Sequence, residues 1–127
     1  SLALGGSKGR PSQAERMANL LTHGFTYQSG TSHQGTLPLC GGLLELHGEN
    51  TAFSALLAEE DGSFRLRVYD ADGQGDAVTA RLCRPIAEAV RIDALGQPIE
   101  ASVTVHGSDA TFDVPPHSLA EVRLRLV

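Results

Sequence analysis

Tryptophan is absent from this sequence, and the aromatic residues, four Phe and two Tyr, make up 5% of its 127 residues. Sugar-binding surfaces rely on exposed rings that stack on the apolar faces of pyranoses, so this composition leaves little from which to build such a platform. Cations are the minority charge: ten Lys and Arg stand against fifteen Asp and Glu, for a net charge of −5. Binding nucleic acid by phosphate neutralisation would need the opposite balance on one face. Mean hydropathy is −0.09, and no apolar run approaches the roughly 18 residues of a membrane span. The opening Ser1-Leu2-Ala3-Leu4-Gly5-Gly6 has neither the basic nor the apolar region of a secretory signal. A missing initiator Met is what a fragment or a processed chain shows.

Cysteine is almost as scarce. Cys40 and Cys83 lie far apart, outside any CxxC or CxxH spacing, whereas zinc sites need clustered ligands and stapled secreted domains usually carry four or more cysteines. The expectation is two free, partly buried thiols in a reducing compartment, and hence a cytoplasmic protein. A single long-range disulfide is the alternative. A chain of this length buries about two-thirds of its unfolded surface and forms a core without staples.

The pattern of the chain changes near residue 42. Residues 1–42 read as a linker or leader, Gly- and Ser-rich at the start. Ser12-Gln13-Ala14-Glu15 has the form of a capping box. Ala14, Met17, Ala18 and Leu21 follow at spacings of three and four, which predicts a short helix over 13–21, stopped at Gly24. Residues 25–28 predict a brief strand.

From Leu43 to Val127 the apolar period is two, the signature of half-buried strands. Phe64, Leu66 and Val68 alternate with Arg65, Arg67 and Tyr69; Val78, Ala80 and Leu82 with Thr79 and Arg81; Ala120, Val122, Leu124 and Leu126 with Glu121, Arg123 and Arg125. A one-residue slip in any of these puts arginine into the core, so their registers are firmly specified. Weaker strands are expected at 43–46, 52–58, 86–92, 102–106 and 110–114. Turn residues such as Asp61-Gly62, Asp72-Gly73 and Gly107-Ser108 separate them. About eight short strands at this spacing predict an all-β fold, an antiparallel β-sandwich of immunoglobulin-like architecture with a short helical or irregular leader. Its core is expected from Phe53, Leu66, Val68, Val78, Leu82, Val122, Leu124 and Leu126.

Residue types able to do chemistry are present but scattered. None of His23, His33, His47, His106 and His117 sits at i, i+2 or i, i+4 from another, so no metal site is expected. Glu59-Glu60-Asp61 and Asp70, Asp72 and Asp76 fall in hairpin loops and read as solvated turn carboxylates, and the second group lacks the closing Glu of a calcium loop. There is no GxSxG elbow and no phosphate-binding glycine pattern. Phe53, Phe64 and Phe112 read as core, Tyr69 lies on a polar strand face, and Tyr27 lies in the leader. The chain itself is not expected to be an enzyme: no catalytic or metal-binding residue is assigned, and substrate-binding residues are unknown.

Four segments, taken in order, resemble a known family. Leu43–Leu56 (LLELHGENTAFSAL) is similar to the strand–turn–strand that opens the last β-domain of the family 38 glycoside hydrolases, the α-mannosidases, and Glu60-Asp61-Gly62-Ser63 stands in the turn that follows. Phe64–Gly73 (FRLRVYDADG), Arg84–Ile99 (RPIAEAVRIDALGQPI) and Val114–Leu124 (VPPHSLAEVRL) are similar to the next strands, with His117-Ser118 replacing an aromatic and an acid in the last. The resemblance implies a non-catalytic C-terminal β-sandwich whose parent hydrolyses α-mannosides in carbohydrate metabolism. Its partners would be the catalytic and other domains of the same polypeptide, with no nucleic acid or membrane. In the family, zinc and the Asp nucleophile belong to a separate N-terminal domain. The corresponding His-x-Asp and Asp-Pro-Phe-Gly segments do not occur here, so no catalytic or zinc-binding residue carries over to this chain. A free-standing sandwich that binds carbohydrate or protein is the alternative.

Overall fold

The computed structural model describes residues 10–23, 26–31, 34–36 and 41–127. A helix, α1 (Pro11–Thr22), precedes eight strands: β1 (Leu44–His47), β2 (Thr51–Ala58), β3 (Phe64–Asp70), β4 (Asp76–Leu82), β5 (Ile86–Ile92), β6 (Val103–His106), β7 (Asp109–Val114) and β8 (Leu119–Leu126). They form two antiparallel four-stranded sheets, in the orders β1-β4-β7-β6 and β2-β3-β8-β5. This is the β-sandwich that the two-residue period predicts, and every strand expected from residue 43 onward is found within a residue or two of its expected bounds.

Alternation explains the layering. Leu66 and Val68 of β3 and Ala120, Val122 and Leu124 of β8 are buried from one sheet, and Val78, Ala80 and Leu82 of β4 with Ala110, Phe112 and Val114 of β7 from the other. The four central strands therefore supply most of the core, and full burial of each larger side chain contributes roughly 1.5–3 kcal/mol. Two expected core residues behave differently. Phe53 is 48% exposed, because β2 is an edge strand with no neighbouring strand on one side among the described residues. Leu126 is only half-buried at the end of β8, packed against the core's margin.

Most connections cross from one sheet to the other; only β2–β3 and β6–β7 are hairpins within a sheet. In the β2–β3 turn Gly62 adopts φ of 80°, a left-handed conformation that costs glycine nothing. Asp61 Oδ1 accepts hydrogen bonds from the amide and hydroxyl of Ser63 at 3.0 and 2.6 Å.

The leader departs from expectation. The helix begins two residues earlier than predicted, on Arg10 as N-cap with Pro11 in the first turn, and has no side-chain cap of its own. Proline suits that position because its absent N–H would be unpaired there anyway. The capping box does not form. Instead, Asp72 of the β3–β4 crossing accepts hydrogen bonds from the Ser12 amide at 2.9 Å and the Ser12 hydroxyl at 2.7 Å. A carboxylate from the sandwich thus sits at the positive end of the helix, and Ser12 is buried at 3% exposure. Residues 26–28 form no strand; Phe25 and the expected stop at Gly24 lie outside the described residues.

Candidate functional site

Glu60 and Asp61 are exposed, as expected of solvated turn residues, but the carboxylates of the β3–β4 crossing are not the free turn residues that their sequence context suggests. Asp70 is buried at the end of β3. Its Oδ1 accepts the amides of Asp72 and Gly73 at 3.2 and 3.1 Å, and its Oδ2 those of Gly75 and His117 at 3.1 and 2.8 Å. Burial pushes this carboxyl up, but the amides of His117, Gly75, Asp72 and Gly73 together outweigh burial and hold it below 3.8. Asp76 Oδ2 accepts the Asn50 amide at 2.9 Å and the Thr51 hydroxyl at 3.0 Å, while Asn50 Nδ2 donates to Gly75 O at 2.9 Å. Three crossings, β1–β2, β3–β4 and β7–β8, are thereby tied together at one end of the sandwich. Gly73 is required there: a Cβ would lie 2.3 Å from the His117 ring, and its φ is 74°. Sequence reasoning missed this role because the partners are backbone amides, which carry no residue signature.

Two members of the second acidic group, Glu59 and Asp61, are also engaged. Glu59 Oε1 lies 2.7 Å from Arg65 Nε, and Asp61 Oδ2 accepts from Arg125 Nη2 at 2.9 Å. Ser63 chiefly, with Arg125, holds the Asp61 carboxyl below 3.8. Together with Glu60, Ser63, Arg65 and Arg123 they line an open polar cleft of about 390 Å³.

Beside it lies a residue expected on a solvated face. Glu121 points to the outer face of its sheet yet is 2% exposed. Arg67 Nε and Nη2 both approach its Oε1 at 2.5 Å, and Arg65 Nη1 lies 3.7 Å from Oε2. The β5–β6 turn folds toward this face, pairing Ile92 with Pro98 and leaving only 3.0 Å between a Cβ at Gly96 and Arg65 Nη2. A second surprise, this one pointing inward, is Arg91 on β5, which pairs in register with core residue Val122. It is 7% exposed, donates from Nη1 to Asp113 O at 2.6 Å, and stands 5.6 Å from the Phe112 ring centroid. Burial pulls its pKa down, against the pull of Asp113.

The remaining candidates are dispersed. His47 and His106 lie on opposite edge strands of one sheet, His23 caps the C-terminus of α1, and His117 stands on the β7–β8 crossing with φ of 54°. His33 lies outside the described residues. Among the described residues no three of His, Cys, Asp and Glu are grouped so as to hold a metal ion. Tyr69 is half-buried, and burial together with Glu15 of α1 pushes its phenol up to about 12. Tyr27 is 88% exposed. Cys83 is a free thiol, exposed rather than partly buried, and Cys40 lies outside the described residues. No helix among them is long and apolar enough to cross a membrane.

What the fold does bring together is an apolar cleft at one edge. The edge strands β1 and β2, joined by the short 48–50 turn, belong to different sheets. Between them Leu43, Leu44, Leu46, Phe53 and Leu56 line a cleft of about 420 Å³. Leu43 and Phe53 are roughly half exposed, as is neighbouring Leu57. Leu44, Leu46 and Leu56 pack against the margin of the core, but no strand among the described residues covers the cleft.

No family model matches this chain, and no curated protein or solved structure matches it either.

Proposed function

We propose that this chain is a non-catalytic β-sandwich domain of a larger glycoside hydrolase of the family 38, α-mannosidase type, and that it docks on the rest of its parent polypeptide. The apolar β1–β2 cleft carries the docking part of this reading: clefts lined by exposed leucine and phenylalanine are where sandwich surfaces can take up a partner. The family resemblance supports it by its order along the fold. Its four segments fall on β1 to β2, on β3 with the following crossing, on β5 with its turn, and on the end of β7 through β8. The carboxylates also speak for structure over catalysis, since Asp61, Asp70, Asp72, Asp76 and Glu121 are already engaged by protein donors. A retaining glycosidase needs a free nucleophile and an acid about 5–5.5 Å apart. The zinc that the resemblance implies has no donor set among the described residues and belongs to the parent's catalytic domain. The exposed Cys83 thiol suits a reducing, cytoplasmic setting.

The test is incubation of the chain with an aryl α-mannoside, with and without zinc, beside a heat-unfolded control. No turnover is expected. Saturable, heat-sensitive turnover lost on mutating one carboxylate overturns the reading, as does a natural reading frame that begins near Ser1. The polar cleft around Glu60 and Arg123 favours a second reading, a free-standing sugar-binding module. Mannose titration followed by shifts confined to that cleft would support it.

A further inference from the structure

The two edges of the sandwich that are open among the described residues are not alike. At the β5–β6 edge, β5 carries a bulge between Ile86 and Glu88 and turns the charged Arg91 inward. Bulges and inward charges are the usual devices that stop another strand from adding. At the β1–β2 edge, β2 is bulged between Phe53 and Ala55, which breaks the row of backbone groups that a partner would need. β1 is unbulged, and behind it lies the apolar cleft.

The backbone of β1 shows what it offers. Cys83 N donates to Leu43 O at 3.1 Å, and the register pairs Leu44 with Leu82 and Leu46 with Ala80. In an antiparallel ladder alternate residues bond to the same neighbour. Residues 43, 45 and 47 therefore face β4, and the N–H and C=O of Leu44 and Leu46 are directed to the open edge. The side chains of Leu44 and Leu46 line the cleft. Between them Glu45 stands on the outer face, exposed and 3.7 Å from His47.

We propose that β1 is a strand-addition site for an extended segment of a partner polypeptide, with apolar side chains at two alternate positions and a basic residue between them. The proposal rests on the reading of this chain as a docking domain. The segment bonds its backbone to Leu44 and Leu46, drops its apolar side chains toward the cleft, and sets its cation across from Glu45. A second copy of this chain is the wrong partner: antiparallel pairing of Leu44 with Leu46 of another β1 sets Glu45 against Glu45, and like charges directly opposite destabilise a ladder.

The probe is a capped peptide, Ser-Thr-Leu-Lys-Leu-Thr-Ser, added to the full chain while amide exchange and chemical shifts are followed by NMR. Exchange at Leu44 and Leu46 is expected to slow while that at Glu45 does not change. A peptide with Glu in place of Lys should bind about fivefold more weakly, the difference between an attractive and a repulsive cross-strand pair. Glu45→Lys should reverse that order. N-methylation of both peptide leucines should abolish the protection. The proposal is overturned by the absence of protection at millimolar peptide, by shifts confined to another edge, by indifference to the peptide's charge, or by dimerisation of the chain through β1. None of these outcomes touches the mannoside assay, so failure here is separable from failure of the functional reading.

Discussion

Removing the Glu121 carboxylate tests whether a polar strand face has become an interior. The group is 2% exposed, with both Arg67 contacts at 2.5 Å and Arg65 at 3.7 Å. Taking one partner from a buried ion pair usually costs about 3–5 kcal/mol, because a charge is left unpaired. Here the stranded cations have some relief. The Arg65 and Arg67 side chains are 24% and 35% exposed, and Arg65 keeps Glu59 at 2.7 Å. Arginine can carry its head to water while its stem stays packed. Glu121→Ala is therefore expected at the low end, about 3 kcal/mol, with a fall in Tm of about 12 °C for a chain of this size. Urea unfolding at pH 7 measures it, and an unchanged m-value shows that native and unfolded states are otherwise comparable. The double change Glu121→Met with Arg67→Met should recover much of the loss, since an apolar pair of similar volume replaces both charges. A loss below about 1 kcal/mol for Glu121→Ala is what an exposed pair gives, and it would refute the claim that Arg65, Arg67 and the β5–β6 turn close this face.

Three further outcomes are expected. Leu124→Ala, at a fully buried position, should cost about 2–5 kcal/mol in the same assay, and an unchanged midpoint means the β8 register is wrong. Asp61, Asp70, Asp72 and Asp109 all have carboxyls held below 3.8 in the fold. Their contribution is thus complete above the unfolded value and is lost as pH falls through the lower folded values. Tm should be level from pH 7 to 5 and drop below about pH 4, and Asp70→Asn should lower the plateau while shrinking that drop. Asp72→Ala removes the acceptor of both Ser12 bonds and should speed amide exchange through α1 while leaving the β strands protected; equal exchange in both proteins counts against Asp72 holding the helix.

The strand order in sequence was legible because alternation is a local signal: Leu66 beside Arg65 and Arg67 can lie in only one register if arginine is to stay out of the core. Which strands lie at the edges was not legible. Phe53 and Phe112 look alike in sequence, but among the described residues β7 has a neighbouring strand on both sides and β2 on only one, so one ring is buried and the other is half exposed. Turn carboxylates could be found by composition. Their tasks could not, since the donors that hold Asp70 come from residues up to 47 positions away along the chain.

The local pattern by itself determined the all-β class, the strand bounds to within a residue or two, and the inward faces of β3, β4 and most of β8, since each follows from side chains that alternate on a pleated backbone. Tertiary structure alone decided that Asp72 caps α1, that Glu121 is interior, that Arg91 guards one edge, and that the leucines of β1 stand over an open cleft. Each of these depends on which distant segments meet. Nothing in the period of a single strand encodes its neighbours.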